Sequence, residues 1–207
     1  MTKKIDTVQV SSRPTCVYFI VEGDTEILFY KKVMAYLRQD KNLKLNNNVE
    51  IEYINLKGVG NYQATACRKF QKAIQNHSSE RNVIFLCYDS DAVDYTENPP
   101  FHYEALARRL KEKGGDSVYP LKAVTSIESW FLLDESDLRQ YLKLPKTVSF
   151  KGCRSQKDLC DLFKKAHKVY VKGNGCQSLI DCLDIGLILE KLEKTFDPLY
   201  KILGVQN

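Results

Sequence analysis

Apolar and polar positions follow two alternating periods through the first two-thirds of the chain. "CVYFIV" (residues 16–21) is a short β-branched and aromatic run, the pattern of a buried strand. From Thr25 to about Arg38 the apolar positions recur every three or four residues, which predicts an amphipathic helix. "QDKNLKLNNN" is a polar connection, "VEIEYINL" alternates with the period of two of a strand, and "KGVGN" is a turn. Helical spacing returns over 62–75, and "NVIFLCY", apolar almost throughout, predicts the most buried strand. The loop "DSDAVDYTENPP" follows, then a helix over 101–113 closed by Gly114-Gly115, a fourth strand "SVYPLKAV" and a helix over "SIESWFLLDESDLRQYL".

Such βαβα alternation predicts an α/β fold with a mostly parallel central sheet and helices on both faces. In open sheets of that kind ligands collect beyond the carboxyl ends of the strands. After about Pro145 the strand signals fade. "SQKDLCDLFKKAH", "CQSLIDCL" and "IGLILEKLEKTFDPLYKIL" read as helices, a small C-terminal extension packed on the sheet.

The chain has 207 residues, enough for one large domain that buries roughly 70% of its unfolded surface. It needs neither metal nor disulfide to fold. The N-terminal stretch lacks the apolar core of a signal peptide, and no apolar run approaches the ~18 residues of a membrane span. Seven scattered cysteines without a C-x-x-C predict reduced thiols and a cytoplasmic protein with no membrane partner. The three histidines are isolated in sequence, which disfavours zinc. The formal charge of +5 permits an anionic partner without demanding one.

Three of the four predicted strands end in acids. The first runs into Glu22 with Glu26 one helical turn on, the third into Asp89 and Asp91, which share a face if the backbone stays extended, and the fourth into Ser126 and Glu128. Each has an ordinary explanation: Glu22 as a solvated strand end, Thr25 or Asp24 with Glu26 as helix-start chemistry, "DSD" as loop composition, "SIE" as a cap. Together, five carboxylates at one sheet edge repel unless a cation joins them. Carboxylates and a hydroxyl without Cys or His are the donor set of Mg²⁺ or Mn²⁺. Two such ions suit phosphodiester hydrolysis.

These residues resemble a Toprim domain, which joins an E-G turn after its first strand (Glu22-Gly23) to a D-x-D after a later one (Asp89-Ser90-Asp91). The second glutamate in "EGDTE", the Ser126-Ile127-Glu128 triplet and the following "SWFLLD" are most similar to the nuclease branch, the overcoming-lysogenization-defect and RloB-like proteins. The resemblance covers about 15–140. With the strand signals fading after Pro145, the chain divides into a Toprim-like catalytic domain over 1–145 and a basic, mainly helical extension over 146–207. The resemblance implies two ions, one held by Glu22 and Glu26, the other by Asp89, Asp91, Ser126 and Glu128. A downstream lysine, here Lys172 in "VYVKGNG", stabilises charge on the phosphate or orients the attacking water; an ordinary solvated lysine is the alternative. Asp94 is a candidate outer acid or a plain loop residue. The chain contains no G-x-x-x-x-G-K-[ST], so any ATPase of the kind found in the overcoming-lysogenization-defect proteins would be a separate partner. A role in antiviral defence is implied by the resemblance alone.

Between Leu138 and Gly175 ten Lys/Arg face two acids. Lys151, Arg154, Lys164, Lys165 and Lys168 in this stretch are candidate contacts to DNA or RNA, or simply a solvated helix face. Tyr141, Phe150 and Tyr170 are interspersed, but composition alone does not imply that bases stack on them. Gly58 and Gly60 offer backbone amides to a phosphate, or serve only a tight turn. The leading expectation is a metal-dependent nuclease. The alternatives are phosphoryl transfer on a small nucleotide and a silent module that binds Mg²⁺ with nucleic acid or a partner.

Overall fold

The structure, a computed structural model, describes residues 14–39, 48–77 and 79–205. The predicted polar connection falls mostly outside them. Strands β1 (Thr15–Val21), β2 (Val49–Asn55), β3 (Arg81–Asp89) and β4 (Ser117–Ala123) form a sheet in the order β2-β1-β3-β4. Every neighbouring pair is parallel. The expected α/β class is therefore the observed one.

The chain leaves β1 in one direction and later returns past it, so the crossover helices must change face to keep each connection right-handed. Helix α1 (Asp24–Gln39) packs on one face, and α2 (Asn61–Ile74) and α3 (Tyr103–Glu112) on the other. The strand period of two sorts the core accordingly. Val17, Phe19 and Val21 join Val83, Phe85 and Cys87 beneath α1, while Cys16, Tyr18 and Ile20 join Ile84 and Leu86 beneath α2 and α3. All seven β1 residues are buried, as its unbroken apolar run requires. Pro120, which cannot donate to a ladder, lies on the edge strand β4. Gly114 closes α3 with φ of 105°, in the left-handed region that favours glycine.

The helix predicted over 126–142 is two helices, α4 (Glu128–Phe131) and α5 (Glu135–Leu142). Asp134 separates them for a physical reason. Its carboxylate is buried and accepts the N–H of Asp137, capping α5, and the N–H of Asp184. Beyond it come α6 (Gln156–Lys165), a 3-10 turn (Gly173–Cys176), α7 (Gln177–Cys182), α8 (Ile185–Lys191) and α9 (Glu193–Leu203). The last two were expected as one helix and part at Leu192. Their apolar residues, Ile188, Phe196 and Leu199 among them, belong to the same core as Val17 and Phe85. Lys32 on α1 fastens this region by donating to the carbonyls of Ile180, Asp181 and Leu183. All seven cysteines are free thiols. No helix among the described residues is long and apolar enough to cross a membrane.

Candidate metal centre

In the order β2-β1-β3-β4 the connections from β1 run to opposite sides, so a crevice opens between β1 and β3 at the carboxyl ends of the parallel strands. Ile20 pairs with Leu86, so the end of β1 at Val21 lies level with Cys87, two residues before Asp89. Asp89 in turn pairs with Ala123, the last residue of β4. The register thus delivers Glu22, Asp89 and the Ser126–Glu128 turn to one edge.

Glu22, Glu26 and Asp89 meet there, with a carboxylate oxygen from each within 4.8 Å of the others. Glu26 is 7% exposed and Asp89 8%. Glu26 has two duties. It stands three residues beyond Gly23, whose N–H its Oε2 accepts at 3.1 Å, as the glutamate of a capping box does. Thr25 does not cap the helix: its Oγ1 accepts the N–H of Gly173 at 2.7 Å instead. Asp89 Oδ1 accepts the N–H of Ile127 at 2.8 Å, which ties β3 to the turn carrying Ser126 and Glu128.

That turn is strained. Thr125 has φ of 65°, a conformation that a β-branched residue adopts only when its surroundings impose it. Its N–H donates to Ser90 Oγ, its carbonyl accepts from Asp91 N, and its hydroxyl donates to the Arg154 carbonyl. The result is that Glu128 opens α4 fully buried, with Oε1 facing Tyr170 Oη at 3.0 Å and Lys172 Nζ at 3.3 Å. Glu128 Oε2 and Ser126 Oγ are buried and meet no hydrogen-bond partner among the described residues. A buried oxygen left so costs about 1–3 kcal/mol, more when it carries charge.

The electrostatics agree with crowding of like charge. Burial, then Glu26, Glu128 and Glu22, push the Asp89 carboxyl up to about 8, against the opposing pull of Lys172. Burial likewise raises Glu22 and Glu26, with Asp91 and Glu128 adding to the first and Glu22 and Glu128 to the second. Burial alone lowers the Lys172 ammonium, but Glu128, Asp89 and Glu26 outweigh it and hold the group above the ordinary lysine value. Burial followed by Glu128 keeps the Tyr170 phenol protonated far above neutrality.

An all-oxygen donor set with two orphaned buried oxygens fits a hard divalent cation such as Mg²⁺ or Mn²⁺. The remaining candidates divide. Asp91 is exposed, because the chain turns immediately after β3; the extended backbone that put Asp89 and Asp91 on one face is absent, although Asp91 still acts on Glu22. Asp94 is paired with Lys122 at 2.9 Å. Gly58 spends its N–H on the Glu22 carbonyl at 2.9 Å, so that amide belongs to the turn, while Gly60 starts α2 with ordinary helical angles. Lys151, Arg154, Lys164, Lys165 and Lys168 are exposed; Lys164 pairs with Asp161, and Lys168 donates to the Tyr141 carbonyl. Phe150 is buried beneath Arg139 and offers no stacking face.

Tyr170 was legible only as a ring beside basic residues; its spacing from Glu128 in sequence hides the hydroxyl contact. At the opposite end of the sheet Cys16, Glu50 and His77 also approach one another, but His77 is already shared between Glu50 at 2.8 Å and Glu52 at 3.7 Å. Comparison of the chain with protein-family models, with curated proteins and with solved structures finds no match in any of the three.

Proposed function

We propose that this chain is a metal-dependent nuclease of the Toprim type, hydrolysing phosphodiester bonds in DNA or RNA. The observation that supports it is the convergence of Glu22, Glu26 and Asp89 within 4.8 Å at the crevice of a parallel sheet. Glu22 and Glu26 would hold one ion, and Asp89, Asp91, Ser126 and Glu128 a second. Bound Mg²⁺ or Mn²⁺ supplies charge neutralisation at the phosphate and an activated water.

The chain's own residues do the rest. Asp89 must release its proton to act as a ligand, since its carboxyl is held at about 8 without a cation. Lys172 is 44% exposed and bonded only at its tip, so it can turn from Glu128 to a phosphate oxygen and stabilise charge developing there. The Thr125 hydroxyl fixes the Arg154 backbone beside the site, so the basic stretch starts where a polyanion would leave the metals. The resemblance implies a role in antiviral defence in which any ATPase is a separate subunit, and the scattered cysteines suit a cytoplasmic location.

The test incubates purified protein with supercoiled plasmid, single-stranded DNA, structured RNA and tRNA, with Mg²⁺ or Mn²⁺ or with chelator. Cleavage is expected with metal only, and Glu26→Gln and Asp89→Asn proteins should each lose at least about a hundredfold in rate. Cleavage that survives chelator, or that both variants retain, overturns the proposal. Binding without turnover on every substrate, with ATPase partners supplied, assigns the silent module instead.

A further inference from the structure

We propose that Tyr170 is a positioning residue of the metal centre, its hydroxyl holding Glu128 by Oε1 so that Oε2 is presented to the cation. This rests on the metal-centre reading above. Glu128 has no exposed surface, and its two oxygens are treated very differently. Oε1 receives Tyr170 Oη at 3.0 Å and Lys172 Nζ at 3.3 Å, while Oε2 receives nothing. A carboxylate that needed only to be neutralised would share its donors between both oxygens. Here every donor is on one side, and the other side joins Ser126 Oγ as a buried orphan.

The two donors are not equivalent. Lys172 is a half-exposed flexible chain, required elsewhere once a phosphate enters. Tyr170 is half-buried and rigid, with its ring set edge-on against Phe163 at 5.4 Å and 61°. The segment bearing it is anchored at its far end by the Gly173 N–H on Thr25 Oγ1. A contact 42 residues along the chain thus couples the helical C-terminal region to the ligand turn after β4. When Lys172 turns away, Tyr170 alone keeps Glu128 oriented. Partners of this kind fix the ligand's rotation, and removing one typically costs tenfold to a hundredfold in metal affinity.

The experiment measures Mn²⁺ affinity by titration calorimetry, and cleavage against Mn²⁺ concentration, for the parent, Tyr170→Phe and Tyr170→Ala proteins. Tyr170→Phe keeps the ring on Phe163 and should bind Mn²⁺ about tenfold to a hundredfold more weakly. Its metal-free melting temperature should stay within a few degrees of the parent, and its cleavage rate should recover at saturating Mn²⁺. Tyr170→Ala also empties the ring site and should lower the melting temperature. Parent-like Mn²⁺ affinity in Tyr170→Phe overturns the positioning role and leaves the metal centre intact. If the parent itself binds no Mn²⁺, the metal-centre reading falls and this role with it. Absence of cleavage, with ATPase partners supplied and the affinity difference preserved, rejects the nuclease and supports the role of Tyr170.

Discussion

Metal affinity should climb steeply with pH between 6 and 8, because Asp89 must lose a proton before it can ligate. Its carboxyl is raised to about 8, first by burial and then by Glu26, Glu128 and Glu22. Competition between one proton and the cation weakens apparent binding by a factor 1 + 10^(8 − pH), which is about 2 at pH 8, about 11 at pH 7 and about 100 at pH 6. Mn²⁺ titrations should therefore strengthen about fiftyfold from pH 6 to pH 8 and flatten above pH 9. Repeating them in HEPES and Tris should show release of about 0.9 proton per binding event at pH 7. The same shift acts on folding in a definite direction. Below about pH 4 both folded and unfolded chains hold the proton, so nothing changes. Between about 4 and 8 only the folded state holds it, so stability of the metal-free protein falls by about 1.4 kcal/mol per pH unit. The loss totals roughly 6 kcal/mol and is complete above the folded value. Asp89→Asn should remove the Asp89 share of both slopes and leave only what Glu22 and Glu26 contribute, since asparagine can still accept from Ile127. An affinity constant within threefold across pH 6 to 8, with no proton released, would falsify the reasoning.

Lys172→Met removes a cation that pulls down Glu22, Glu26 and Asp89. At pH 9, above the Asp89 value, Mn²⁺ should bind a few-fold to tenfold more tightly while cleavage falls about a hundredfold. Weaker metal binding there would mean that Lys172 supports the ligands rather than competing with the ion. Asp134→Ala removes a buried carboxylate that caps α5 and satisfies Asp184 N, and should cost about 2–4 kcal/mol in chemical denaturation without altering Mn²⁺ affinity of the folded protein. A loss below about 0.5 kcal/mol would show that water replaces both contacts.

The sheet was legible because its strands carry their burial in their own residues. "CVYFIV" and "NVIFLCY" admit few readings other than central parallel strands, and the spacing of helices between them fixes the alternation. The acids were legible because Glu22, Asp89 and Glu128 each follow such a strand, and parallel strands bring their ends together without any knowledge of side-chain contacts. What escaped depends on distance along the chain or on single side chains. The break at Asp134 needs the Asp184 N–H from 50 residues away, and without it the apolar period runs on unbroken. Phe150 stands among basic residues, yet it is buried through tertiary contacts that local composition does not encode. Asp91 was aligned with Asp89 by assuming extended backbone, and Ser90 turns the chain instead, with Asp94 N bonded back to its carbonyl.

The strongest argument that these acids form a site rather than a solvated fringe lies in how each is held. Glu26 is fixed through Oε2 by Gly23 N, Asp89 through Oδ1 by Ile127 N, and Glu128 through Oε1 by Tyr170. Three carboxylates on three different elements are each restrained at one oxygen by a donor from the protein, which fixes the position of the other. Solvated acids keep their rotational freedom, because ordering them in mutual repulsion costs free energy with no return. The cost is recovered only if a cation binds to a group already in place, since then no side-chain entropy is lost at the moment of binding. Stability is sacrificed at the sheet edge in the metal-free protein, and the burial and crowding of like charge that raise Asp89 to about 8 are relieved when a divalent ion binds. Loosening any one anchor should therefore weaken the metal without removing a ligand, and the metal-free fold should become more tolerant of alkaline pH as the carboxylates move apart.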